Sequence, residues 1–156
     1  MRVIRQQPQS VPGPPEWFTG TVWFTDLAGG GRVSLGSVHF APGARTAWHS
    51  HPQGQTLYVT EGVARVQDRS GPVEEVRAGQ TVVTEAGVWH WHGAAPDHFM
   101  THLAIWEAPA GGPESEWGDQ VTDAEYLAPA TEPTATPIAG HERTSGHVAT
   151  QSAYAP

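Results

Sequence analysis

The stretch HSHPQGQ, from His49 to Gln55, lies inside PGARTAWHSHPQGQTLYVTEG (residues 42–62), and its reading organises the rest of the chain. Residues two apart on a strand point to the same face, so His49 and His51 project together. VWHWHG (residues 88–93) repeats the spacing with His90 and His92. Trp48, Trp89 and Trp91 flank the two pairs, and few charges lie nearby. An imidazole in apolar surroundings needs a partner or a ligand to offset its desolvation. Two such pairs therefore predict histidines converging on a metal ion rather than lying on a solvated strand.

Composition sets the outer limits. A chain of 156 residues is long enough for one domain with a real core. Its 18 Gly and 14 Pro fit many short strands joined by turns. Cysteine is absent, which excludes disulfides, thiolate nucleophiles and Cys-based zinc sites. Lysine is absent too, which removes Schiff-base chemistry. A net charge of −8 with no basic stripe argues against nucleic acid as a partner. The opening MRVIRQQPQSVPGPP has no apolar signal region, and no later stretch is long and apolar enough to span a membrane. A cytoplasmic protein acting on a small molecule is expected. Of nine histidines, seven fall in the body of the chain, and only His141 and His147 lie near its end.

The apolar period along the chain is two. Residues 21–25, 32–40, 55–60, 63–67, 73–77, 81–84, 88–92 and 98–106 read as strands. Turn signals separate them: AGGG (28–31), APG (41–43), EG (61–62), DRSGP (68–72), AG (78–79), EAG (85–87) and GAAPD (93–97). Strands this short and regular predict an all-β antiparallel sandwich or barrel. One short helix is expected where Thr122 and Glu125 form a capping box ahead of Tyr126 and Leu127. From Ala128 the chain is rich in Ala, Thr and Pro and has no apolar periodicity, which predicts a tail. The expected organisation is an arm over residues 1–16, a single domain over 17–127 and a tail over 128–156, the last a candidate to lie along a partner subunit.

Two motifs resemble those of the cupins. In that family the first runs Gly, five residues, HxH, three or four residues, Glu, six residues, Gly. Here it reads Gly43, ARTAW, His49-Ser50-His51, PQG, Gln55, TLYVTE, Gly62. The second runs Gly, five residues, PxG, two residues, His, three residues, Asn; here it reads Gly79, QTVVT, Glu85-Ala86-Gly87, VW, His90, WHG, Ala94. The family's Pro and Asn are replaced, and its Glu is a Gln. The resemblance spans roughly residues 17 to 108 and implies a single-domain, double-sheet, jelly-roll-like β-barrel with a metal in its mouth.

Within the cupins, PGARTAWHSHPQGQTL, HWHGAAP and MTHLAI resemble bacterial manganese-dependent hydroxynitrile lyases, whose metal is held by three His and one Gln. The resemblance implies His49, His51, Gln55 and His90 as ligands. It also implies cleavage of cyanohydrins such as mandelonitrile into an aldehyde and hydrogen cyanide. Mn(II) is the expected ion, while imidazole and amide ligands also accept Fe(II), Ni(II), Zn(II) or Co(II). A Gln ligand leaves the ion its full +2 charge, which favours binding of an anion such as cyanide and disfavours oxidation of the metal.

Lyase chemistry needs a base for the hydroxyl proton and an acid for the departing cyanide, and histidine serves both. His102, in phase with Met100, Ala104 and Trp106 on the last long strand, is the expected base. His92 shares a face with His90 and is the expected second acid–base group, and Thr46 the donor to substrate oxygen. If the two imidazoles only orient ligands, their roles are structural. By alternation Val38, Phe40, Leu57, Met100 and Trp106 are expected to line the pocket. Trp106 is bulky where related lyases carry a smaller polar residue. The remaining tryptophans are expected in the core or at the interface of a homodimer or homotetramer. A mononuclear iron or manganese dioxygenase and a non-catalytic ligand-binding cupin are the competing readings.

Overall fold

Alternation along two long strands builds the site's scaffold. A computed structural model describes residues 3–131, so His141, His147 and most of the expected tail lie outside it. In chain order the strands are β1 (Val11–Pro12), β2 (Phe18–Thr19), β3 (Val22–Ala28), β4 (Val33–Phe40), β5 (Arg45–Thr46), β6 (His49–Ser50), β7 (Gln55–Asp68), β8 (Val73–Arg77), β9 (Thr81–Thr84), β10 (His90–Ala94), β11 (Met100–Glu107), β12 (Glu116–Trp117) and β13 (Ala130–Thr131). One helix, α1 (Asp123–Tyr126), follows β12. The main path of hydrogen-bonded strands runs β1-β3-β4-β11-β7-β10-β5-β2, a sheet that curls into the expected double-sheet barrel. In β4, Ser34, Gly36, Val38 and Phe40 face inward, and in β11 Met100, His102 and Ala104 do the same. Cross-strand register brings His102 opposite Val38 of β4 and Val59 of β7.

β7 departs from expectation. Glu61-Gly62 was expected to end one strand and begin another, yet β7 runs unbroken over 14 residues. A shift in the β7–β11 register occurs at this point, opposite Thr101 and His102. Gly62 has φ of 75°, and a Cβ there would collide with the Phe99 carbonyl. The irregularity bends β7 so that its first half pairs with β9 and β11 and its second with β8 and β10.

Two apolar clusters result. Val38, Phe40, Val59, Met100 and their neighbours fill the barrel. Trp48, Val73, Trp91, Val121 and Tyr126 form a second cluster under the C-terminal segment. The helix carries the expected capping box, with Thr122 and Glu125 bonded reciprocally. Two short strands lie outside the expected 17–127 span: β1 pairs with β3, and β13 pairs in parallel with β8.

Candidate metal centre

Three imidazoles meet at one wall of the barrel. His49 opens β6 and His90 opens β10, and the two residues pair directly across the ladder. His51 follows β6, and the ring nitrogens that His49, His51 and His90 offer lie within 4.8 Å of one another. Each Nδ1–H donates to a main-chain carbonyl: His49 to Ala47 at 3.0 Å, His51 to Glu114 at 2.9 Å and His90 to Val88 at 3.0 Å. That tautomer leaves every Nε2 with a free lone pair.

Gln55 at the start of β7 turns its Oε1 to within 3.0 Å of His90 Nε2. That separation matches two donors to one cation, since ligands bound at about 2.1 Å on adjacent coordination positions lie roughly 3 Å apart. The donor set thus fits a divalent ion with three imidazoles and one amide oxygen.

A cavity of about 340 Å³ opens beside these donors. His49, His51, Gln55, His92, His102, Thr46, Val38 and Trp106 line it, so three of the four expected ligands, the expected catalytic groups and two expected wall residues come together, while His90 lies behind the wall. The His92 and His102 rings meet edge-on at 4.9 Å, and His49 lies 5.2 Å from His92. Both nitrogens of His102 and Nδ1 of His92 are buried without a protein partner. Thr46 Oγ1 accepts the His92 main-chain N–H at 3.1 Å, so its own hydrogen is free to donate.

Burial drives the electrostatics. Desolvation holds His49 and His92 well below the usual imidazole range, with repulsion from neighbouring imidazoles adding to it. Desolvation also lowers His51, and it takes His90 and His102 down to about 4. All five are therefore neutral near pH 7, the form that binds metal or accepts a proton.

Three of the expected wall residues lie elsewhere than on the cavity surface. Phe40, Leu57 and Met100 face inward but do not line the cavity. Alternation selects a face and nothing more: Phe40 and Met100 pair with each other in a deeper layer, whereas Leu57 is level with the lining residue Ala104 yet off the wall. Phe40 packs at 5.8 Å from His92 and 5.6 Å from His102, supporting both rings from behind. Met100 lies at the opposite end of β11 from Trp106.

The cavity also has walls that alternation did not reveal. Trp17 and Trp117 stack at 5.0 Å with planes 5° apart, and Trp117 stacks in turn on His49 at 4.7 Å. Val11, Pro12 and Pro14 of the expected arm close the outer side. Gln120 ties that arm down, donating to Glu16 O at 2.8 Å and Pro15 O at 3.2 Å. The WFT run at residues 17–19 was the one local hint of a wall here. His39 and His98 are exposed and lie outside the three-histidine cluster.

A profile of the cupin domain matches residues 36–106. The (R)-mandelonitrile lyase of Granulicella tundricola is 50% identical over 117 residues, covering 73% of this chain and 88% of that protein. The chain belongs to the cupin family. A cupin-like protein of Thermotoga maritima, 40% identical over 80% of this cupin and 95% of its own length, superposes with a TM-score of 0.70. A polyketide cyclase of Streptomyces resistomycificus shares the fold at 23% identity and a TM-score of 0.58, over 81% of this cupin and 89% of that chain. Among the described residues of this cupin no helix is long and apolar enough to cross a membrane.

Proposed function

We propose that this cupin is a metal-dependent carbon–carbon lyase that cleaves cyanohydrins such as mandelonitrile into an aldehyde and hydrogen cyanide, and runs the reverse addition. The observation that carries the reading is a single apolar cavity holding both a cluster of neutral donors and two buried imidazoles with unpartnered nitrogens. Half-identity to an (R)-mandelonitrile lyase supports the substrate class.

His49, His51, Gln55 and His90 would hold a divalent ion, with manganese favoured by the motif resemblance. Such an ion, undiminished by any anionic ligand, supplies stabilisation for negative charge on an alkoxide or cyanide. The chain's own groups handle the proton. His102, neutral because it is buried, accepts the hydroxyl proton of the cyanohydrin. As that proton leaves, the oxygen forms the carbonyl and the bonding pair to the nitrile carbon departs with cyanide. The proton taken by His102 passes to the departing cyanide, so no further reactant is consumed, and His92, whose ring lies 4.9 Å away, orients the cyanide. Thr46 donates to the substrate oxygen, and the tryptophan walls exclude water.

Cyanide release from mandelonitrile by the manganese-loaded protein tests the reading. Equal rates with and without dioxygen are expected. His102→Ala should retain metal and lose on the order of 10²–10⁴ in rate, with a smaller loss for His92→Ala. No cyanide from the loaded protein, or turnover that stops under nitrogen, would overturn the proposal.

A further inference from the structure

Two of the three candidate ligand imidazoles are oriented from within their own segments. His49 and His90 donate to Ala47 and Val88, each two residues earlier. His51 differs, because its carbonyl partner belongs to Glu114, 63 positions along the chain. Glu114 sits in the connection between β11 and β12, beyond Gly111, Gly112 and Pro113, where no regular element fixes the main chain. Its carboxylate supplies the missing anchor: Oε2 accepts the indole N–H of Trp106 at 2.6 Å. The Trp106 and His51 rings lie 6.2 Å apart, so one residue joins the cavity wall to the ligand.

We infer that Glu114 is a positioning residue for the metal centre: its carboxylate, tethered to Trp106, holds its main-chain carbonyl where it orients His51 with Nε2 free. The role rests on the reading of His51 as a ligand and requires no titration of any group. It also gives Trp106 a second task, since the wall indole becomes the fixed point of the tether. An amide at position 114 can accept the same N–H, whereas a methyl group cannot.

The test is Mn(II) affinity of the full chain, measured by competition with a chelator, alongside the melting temperature of the metal-free protein. Glu114→Ala and Trp106→Phe should each weaken binding by about tenfold, the scale at which groups that orient metal ligands act. Glu114→Gln should stay close to wild type, and the Ala/Phe double variant should be no weaker than either single one. The metal-free melting temperatures of Glu114→Gln and Trp106→Phe should match wild type. Unchanged affinity in Glu114→Ala, equal losses in Ala and Gln, or additive losses in the double variant would each overturn the inference. Wild-type protein that binds no Mn(II) would instead remove the metal reading on which it rests.

Discussion

Gln55 concentrates the chemistry of the site into one atom pair. A carboxylate at this position would face the same three imidazoles from the same strand, because the start of β7 aims the side chain whatever its end group. The substitution therefore alters charge with little change of geometry. Gln55→Glu should hold the divalent ion at least as tightly, since one negative charge joins three neutral donors. It should also slow cyanide release, because the ion's attraction for an anion falls with its net charge. Metal content and turnover measured on the same preparation check both halves, and an undiminished rate would show that net charge does not govern the site. His102 differs from Gln55 in depth rather than charge. It is 1% exposed, and Phe40 packs against its ring. That confinement keeps the imidazole neutral and aimed at the cavity.

At the scale of elements, short edges matter as much as the long strands. β12 pairs with β6, setting Trp117 opposite His49, so two residues of strand secure an aromatic wall to a candidate ligand. β13 pairs with β8 and extends the ordered domain past Leu127. Arg65, almost fully buried, donates to the Ala128 carbonyl, and its guanidinium lies 5.5 Å from the Tyr126 ring. Arg45 approaches the same ring at 4.6 Å and donates twice to Val121 O. A chain ending at Leu127 leaves a buried guanidinium short of an acceptor, a cost of about 1–3 kcal/mol or more for a charged group. Such a truncation should melt several degrees below the full chain, whereas one ending at Thr131 keeps the acceptor and the β13 pairing. Thermal melts of the two truncations decide the matter, and equal melting temperatures would show that Arg65 finds an acceptor elsewhere.

The whole molecule stores five buried imidazoles in one wall and cavity, and that sets its response to acid. His49, His51, His90, His92 and His102 are all lowered, chiefly by desolvation. The unfolded chain binds protons near pH 6.5 that the folded chain refuses until lower pH. Stability is therefore full above about 6.5 and is lost as pH falls towards 4. For His102 alone, the displacement from 6.5 to about 4 corresponds to roughly 3 kcal/mol. Melts of the metal-free protein at pH 7, 5.5 and 4.5 should fall steadily, and a flat series would contradict the burial of these rings. Manganese should raise the melting temperature at pH 7, by about 2.7 kcal/mol of stability at a hundredfold excess over Kd. Protonation of the ligands should erase that gain at acid pH.

Local rules made much of this protein legible in its sequence. Period-two alternation located the long strands and put Val38, His102 and Ala104 on inner faces, because a strand's side chains alternate whatever surrounds them. The Thr122–Glu125 box is likewise satisfied within a few residues and formed as read. Three features depended on contacts between distant segments. The bend at Gly62 kept β7 continuous, since a bulge and a turn share the same Glu-Gly signal until a partner strand is present. Depth divided Val38 and Trp106 from Phe40 and Met100, since alternation carries no information about layers. Finally, Trp17 meets Trp117, and His51 meets Glu114 from 63 positions away. Those meetings exist only after the barrel closes, because packing and not sequence separation determines which loops share its mouth.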